Sequence, residues 1–227
     1  DKKSKSKGRG ANWHVKNSFS QKRVMRKSIA SVLLVFAWLS CSAPQKETLI
    51  KLETQAGEIV LKLYDSTPKH RDNFIKLVEE GFYDSLLFHR VIPGFMIQGG
   101  DPNSKNATPG ALVGSGGPGY ELDAEIKAPH VRGALAAARL GNAVNPRKRS
   151  SGSQFFIVQG QPQTEETLNQ WEGRLGFKFS PEWRRQYIEK GGTPQLEGQY
   201  TVFGEVLKGM YVVDKIAAFP RDENDRP

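Results

Sequence analysis

Arg90, Phe95, Met96 and Gln98 fall within nine residues of one another in the stretch FHRVIPGFMIQGGD, Phe88 to Asp101. A guanidinium fork, two soft apolar side chains and one amide suit a shallow apolar pocket. Such a pocket holds a greasy group while the fixed cation and the amide address the polar group beside it. The competing reading is a buried strand that turns at Pro93-Gly94 and carries a surface arginine. Other chemistries find less support. The single cysteine, Cys41, excludes an internal disulfide framework and a cysteine-rich metal site, and the four histidines lack ligand spacing, so no metal and no cofactor is expected. No serine, cysteine or histidine constellation in the sequence suggests a nucleophilic hydrolase.

The stretch resembles the signature of the cyclophilin family of peptidyl-prolyl isomerases, FHRxIPGFMxQGGD, and keeps every specified position. Ser151 to Val158, SGSQFFIV, resembles the family's GSQFFI strand, and Leu196 to Val206, LEGQYTVFGEV, resembles its closing segment. Together they anchor a resemblance running from about Thr48 to about Phe219. It implies acceleration of X-Pro bond rotation in proline-containing polypeptides, with Arg90 and Gln98 as the catalytic pair and the fork of Arg90 held by Gln98. Phe95, Met96, Phe156, Leu196 and Tyr200 are implied to hold the pyrrolidine ring, and Gln98 and Gln154 the flanking carbonyls and amides. Gly133 to Ala138 is implied to run beside the substrate as a strand edge. That brings in Ala138 and, through its backbone, Arg139, which stands where many members have asparagine. The alternative on the same fold is a binding or chaperone module that holds proline-containing chains without catalysis; retention of Arg90 favours the enzyme.

The elements that must position these residues are legible as patterns. Leu49 to Thr54 and Glu58 to Tyr64 alternate apolar and polar residues about Gln55-Ala56-Gly57, which predicts a hairpin. Thr67-Pro68 offers an N-cap, Phe74, Ile75, Leu77 and Val78 a helical apolar face, and Gly81 a stop. Thr108 to Tyr120 is glycine-rich but lacks the GK[ST] ending of a phosphate loop, so it reads as a surface loop. Residues 161–194 exceed what the family needs there and read as a helical hairpin, with Leu168, Trp171 and Leu175, then Trp183, Tyr187 and Ile188, at helical spacing. Met210 to Ala217 predicts a last helix. The resemblance implies a mainly β fold with helices, a closed antiparallel eight-stranded β-barrel capped by two helices, over a single domain at 48–227. Family members run on into one more strand, so a C-terminal strand is expected to be missing and an edge to be left unpaired.

Net charge is confined to one end. Residues 1 to 28 hold ten Lys/Arg and one Asp, which accounts for the net +9, whereas the remainder holds 23 basic and 23 acidic residues. A neutral domain offers no phosphate-neutralising face, so no nucleic acid is expected as a partner. Residues 1–24 read as a basic disordered arm or non-native upstream sequence, and Met25 as the natural start. Residues 25–41 read as a signal peptide whose apolar run, Ile29 to Leu39, is too short to span a bilayer. Leu39-Ser40-Cys41-Ser42 resembles the bacterial lipobox, with Trp38 departing from the usual leucine, and residues 42–47 read as a tether. The expectation is an exported, membrane-anchored lipoprotein of the bacterial cell envelope, acylated on Cys41 and monomeric.

Overall fold

Alternation over two consecutive runs puts Ile50, Leu52, Ile59, Leu61 and Leu63 on one face, and burial of that face organises the domain. The computed structural model describes residues 47–227 and, as a strand, residues 13–16. This first strand is β1 (Trp13–Lys16), and the predicted hairpin is β2 (Thr48–Thr54) with β3 (Gly57–Leu63). Seven more strands follow: β4 (Arg90–Ile92), β5 (Met96–Gly99), β6 (Glu121–Leu122), β7 (Ala134–Ala137), β8 (Ser150–Ser151), β9 (Phe155–Val158) and β10 (Val202–Lys208). Four helices interrupt them, α1 (Pro68–Glu79), α2 (Glu165–Leu175), α3 (Pro181–Lys190) and α4 (Met210–Ala217).

All pairings are antiparallel, in the order β1-β2-β3-β10-β7-β9-β5-β4, with β6 and β8 forming a separate pair. Among the described residues nothing pairs β4 back to the other end, so the sheet is curled and open where a closed eight-stranded barrel was expected. One reason lies at β4, only three residues long, where the Val91 N–H donates instead to the carbonyl of Asp225 in the C-terminal segment. The other end departs from expectation as well. The outer edge of β2 is not bare but carries β1, in register from Trp13 opposite Thr54 to Lys16 opposite Lys51. Four residues of the arm read as disordered are therefore a strand; an unpaired edge is a template, and Trp and Val are strand formers.

Side chains alternate between two faces across the whole sheet. Val91, Ile97, Leu135, Phe155, Ile157 and Phe203 enter the interior, where α1 adds Phe74, Leu77 and Val78, and α4 adds Val212, Val213 and Ile216. Met96, Ala134, Ala136, Phe156, Val158 and Val202 point the other way and form a second apolar cluster. Both helices plug the curl as anticipated, but Thr67 does not cap α1 with its side chain. The orphan first-turn N–H groups of Lys69 and His70 go to the Glu125 carboxylate, at 3.3 and 3.1 Å, with the His70 ring also 2.7 Å from it.

The insertion is the expected helical hairpin. Thr164 and Thr167 form a reciprocal cap on α2, and the Ser180 hydroxyl accepts from the Trp183 N–H to start α3. Leu168, Phe179 and Tyr187 are buried between the helices and Val131. Glu172 ties the hairpin together: its carboxylate, 3% exposed, accepts from Lys178 Nζ (2.8 Å), the Phe179 N–H (3.0 Å) and Arg184 Nη1 (2.7 Å). Burial pushes its pKa up, but these donors outweigh burial and hold the carboxyl down at about 2. A folded pKa below the unfolded one stabilises the fold above the unfolded value of 4.5, and that stabilisation drains away as pH falls towards 2. Glu172→Gln is therefore expected to lower stability at pH 7 by on the order of 2 kcal/mol, a figure discounted for the solvent around Lys178. Thermal melts at pH 7 and pH 3 check this, since the gap to wild type must narrow at the lower pH.

Candidate active site

Strand register builds the site. Arg90, Gln98, Phe156 and Ala136 are successive Cα partners across β4, β5, β9 and β7, and Val202 of β10 pairs with Ala136, so one row crosses five strands. The period of two that sends Phe155 and Ile157 inward sends this row outward. Against it lies an open groove of about 330 Å³, lined by Arg90, Phe95, Met96, Gln98, Ala138, Arg139, Phe156, Leu196 and Tyr200. Nine of the ten residues predicted for catalysis and substrate binding thus converge on one concavity.

The apolar end is packed tightly. Met96 and Phe156 are almost wholly buried, and the Tyr200 ring meets Phe156 edge-on at 5.6 Å between centroids. Arg139 does not reach into the groove as a free cation. Its guanidinium lies 4.7 Å over the Tyr200 ring while Nε donates to the Gln199 carbonyl (2.6 Å) and Nη2 to the Asn142 amide oxygen (2.8 Å). The residue therefore fixes the ring that closes the pocket.

Three expectations change. Gln154 does not line the groove: Gln98 Nε2 donates to Gln154 Oε1 at 3.0 Å, and Gln154 Nε2 donates to the carbonyls of Gly114 (3.0 Å) and Gly116 (2.7 Å). Gln154, itself buried, spends its amide on these two loop carbonyls and so stands behind the site. Arg90 is not held by Gln98 either; its ion pair is Nε to Asp225 Oδ2 at 3.7 Å. Finally, β7 is not a strand edge, because β10 and β9 flank it, and the Ala138 N–H and C=O are already bonded to Gln154 and Ser151.

Sequence reasoning missed His89, Val113, Gly114 and Asn224, which complete the lining. His89 was visible as the neighbour of Arg90; Asn224 carries no local signal. Burial pushes the His89 imidazole down to about 4, so at neutral pH it is uncharged beside the arginine. Asp101 was missed as an anchor. Fully buried, it accepts from the N–H groups of Asn103 (2.8 Å) and Gly114 and so fastens the glycine-rich loop to the groove. A larger residue at 116 would displace this anchor, because a Cβ there would stand 2.1 Å from Asp101 Oδ1. From the other side Arg226 donates to the carbonyls of Ala111 (2.7 Å) and Ala107 (3.3 Å) in the same loop. Cys41 and the other residues read as a signal peptide lie outside the described residues.

A family model for cyclophilin type peptidyl-prolyl cis-trans isomerase/CLD matches residues 49–227. The chain belongs to this family. Among curated relatives with this isomerase activity as a provisional name, one from Staphylococcus haemolyticus is 33% identical over 182 residues, covering 80% of this chain and 86% of its own. Another, from Staphylococcus aureus, is 33% identical over 195 residues, covering 83% and 90%. A crystal structure of a Cryptosporidium parvum cyclophilin type isomerase superposes with a TM-score of 0.56 at 26% identity, covering 80% of this chain and 91% of that one. A second structure of that protein, in the presence of the dipeptide Ala-Pro, gives 0.54. The groove of this cyclophilin-type isomerase is accordingly its active-site candidate, with Arg90 as the one cation whose terminal nitrogens no described hydrogen bond claims within the lining.

Proposed function

We propose that the chain catalyses X-Pro rotation in exported polypeptides during folding, acting as a monomer tethered to a membrane by a lipid on Cys41. One observation carries the catalytic half: a guanidinium, whose ion pair among the described residues runs through Nε, lines the same groove as the apolar side chains of Phe95, Met96, Phe156 and Leu196. Rotation about an X-Pro bond faces roughly 18 to 20 kcal/mol because amide resonance must be broken. A turnover of about 10³ s⁻¹ corresponds to about 13 kcal/mol, so the site must supply roughly 6 to 7 kcal/mol by favouring the twisted amide. No bond is made or cut. As the amide twists, its nitrogen regains a lone pair, and the Arg90 Nη groups donate to it; the planar amide offers no such acceptor, so this interaction belongs to the transition state.

Phe95, Met96, Phe156, Leu196 and Tyr200 hold the pyrrolidine ring. Gln98, its nitrogen committed to Gln154, offers its carbonyl oxygen to a substrate N–H. The backbone N–H and C=O of Arg139, which have no backbone partner among the described residues, take the flanking peptide. The Ala-Pro dipeptide used with the solved relative supports proline peptides as the substrate class. A protease-coupled assay on a chromogenic Ala-Pro-Phe peptide tests the reading. Acceleration proportional to protein concentration is expected; peptide binding without acceleration would leave a holder of proline segments.

The anchor rests on sequence context alone, the basic flank, short apolar run and single cysteine. After expression in a lipoprotein-processing bacterium, wild type is expected in the membrane fraction and Cys41→Ser in the soluble one. Equal partitioning of the two would remove the lipid from this account.

A further inference from the structure

The insertion touches the site through a buried network. His130, Tyr187 of α3 and Glu197 are each fully buried, and they come from three separate parts of the chain. Glu197 Oε1 collects the Tyr187 hydroxyl, the His130 N–H (2.6 Å) and the His130 ring nitrogen Nδ1 (3.0 Å), and the His130 N–H also reaches the Tyr187 oxygen at 3.0 Å. Beyond the histidine lies the pocket. Its ring stacks on Phe156 (6.2 Å, 14° between planes) and meets Tyr200 edge-on at 6.2 Å. Glu197 itself follows the pocket wall residue Leu196 and leads, through Gly198 and Gln199, to Tyr200.

Few groups share the burden of this carboxylate. Glu197 Oε2 and His130 Nε2 are buried without a hydrogen-bond partner among the described residues, so the contacts on Oε1 are what solvates the side chain. One of those three donors is supplied by the insertion.

We propose that the helical insertion is part of the active-site scaffold, with Tyr187 as a positioning residue that fixes the back of the proline pocket through Glu197 and His130. This rests on the groove being the proline site. Tyr187→Phe keeps the ring in its place beside Phe179 and removes only the hydroxyl. Because the pocket grips the pyrrolidine ring in planar and twisted states alike, the loss falls on binding and not on the rotation step.

The experiment measures KM and kcat for the chromogenic Ala-Pro-Phe peptide, its Kd by titration, and Tm, in wild type, Tyr187→Phe, Glu197→Gln and Glu172→Gln. The last loosens the insertion around its own ion cluster, whose hydrogen bonds include no member of the pocket network. Expected are a five- to twenty-fold rise in KM and Kd with kcat within two-fold for Tyr187→Phe, a smaller rise for Glu197→Gln, and a lowered Tm with unchanged KM for Glu172→Gln. Tyr187→Phe with KM and Kd within two-fold of wild type overturns the proposal, and so does an equal rise in Glu172→Gln, which would make the effect mere loosening. Should wild type show no turnover, the isomerase reading fails by itself, while the Kd series still decides the role of Tyr187.

Discussion

Arg90→Ala is expected to lower kcat/KM by about 10² to 10³, roughly 3 to 4 kcal/mol, while leaving the Kd for a proline peptide within a few-fold of wild type. The asymmetry follows from when the guanidinium acts. It meets an acceptor only after resonance is lost, so its removal raises the barrier and leaves the ground state alone. Arg90→Lys should lose most of the same factor, because a compact ammonium cannot keep its contact with Asp225 and also present two donors towards the groove. The measurement is kcat and KM by coupled assay together with Kd by titration. Near-normal turnover in Arg90→Ala would leave only the apolar pocket standing.

Phe156→Ala should act in the opposite sense, raising KM and Kd by about ten- to a hundred-fold, or 1.5 to 3 kcal/mol, through lost apolar contact with the ring. It carries a second cost that Arg90 does not. Phe156 is 4% exposed and packs against Tyr200 and His130, so truncation opens a cavity and is expected to lower stability by about 3 kcal/mol or more. Denaturant titration separates the two. A folded Phe156→Ala protein that binds the peptide as wild type does would take Phe156 out of the pocket.

Much of this site was readable because its residues lie on short contiguous strands. FHRVIPGFMIQGGD runs through β4 and β5, and alternation along it fixes which side chains share a face. Phe156 on β9 and Tyr200 just before β10 were legible through the resemblance of their segments to the family, not through alternation. What pattern could not show were contacts made across the chain. Asp225 pairs with Arg90 over 135 positions, Glu125 caps a helix whose own Thr67 was the obvious candidate, and Gln154 turned from a substrate contact into the anchor of a loop some 40 residues upstream. Helical spacing likewise placed Tyr187 and Ile188 on one stripe, yet of the two only Tyr187 is buried, packed with Val131, Leu168 and Phe179, while Ile188, one position on, faces away. The open sheet and the strand at Trp13–Lys16 were missed for a related reason: edges are settled by whichever segment is at hand to pair, which local pattern does not encode.

The insertion leaves and rejoins the domain at a single neck. Gln161 and Gly192 face each other as an isolated bridge, with N–H to carbonyl distances of 3.3 and 2.9 Å in the two directions, and a Cβ on Gly160 would come within 2.5 Å of the Gly192 Cα. A segment whose ends already touch can change length with little strain on its host, since closure entropy grows only with the logarithm of loop length. The neck is therefore the place where the hairpin can be exchanged for another without re-registering any strand, whereas plain excision would take the Tyr187 donor from the buried Glu197. What must travel with the hairpin is the acceptor for Tyr187, so a recipient isomerase lacking a buried carboxylate at the Glu197 position would inherit the helices but not their grip on the pocket.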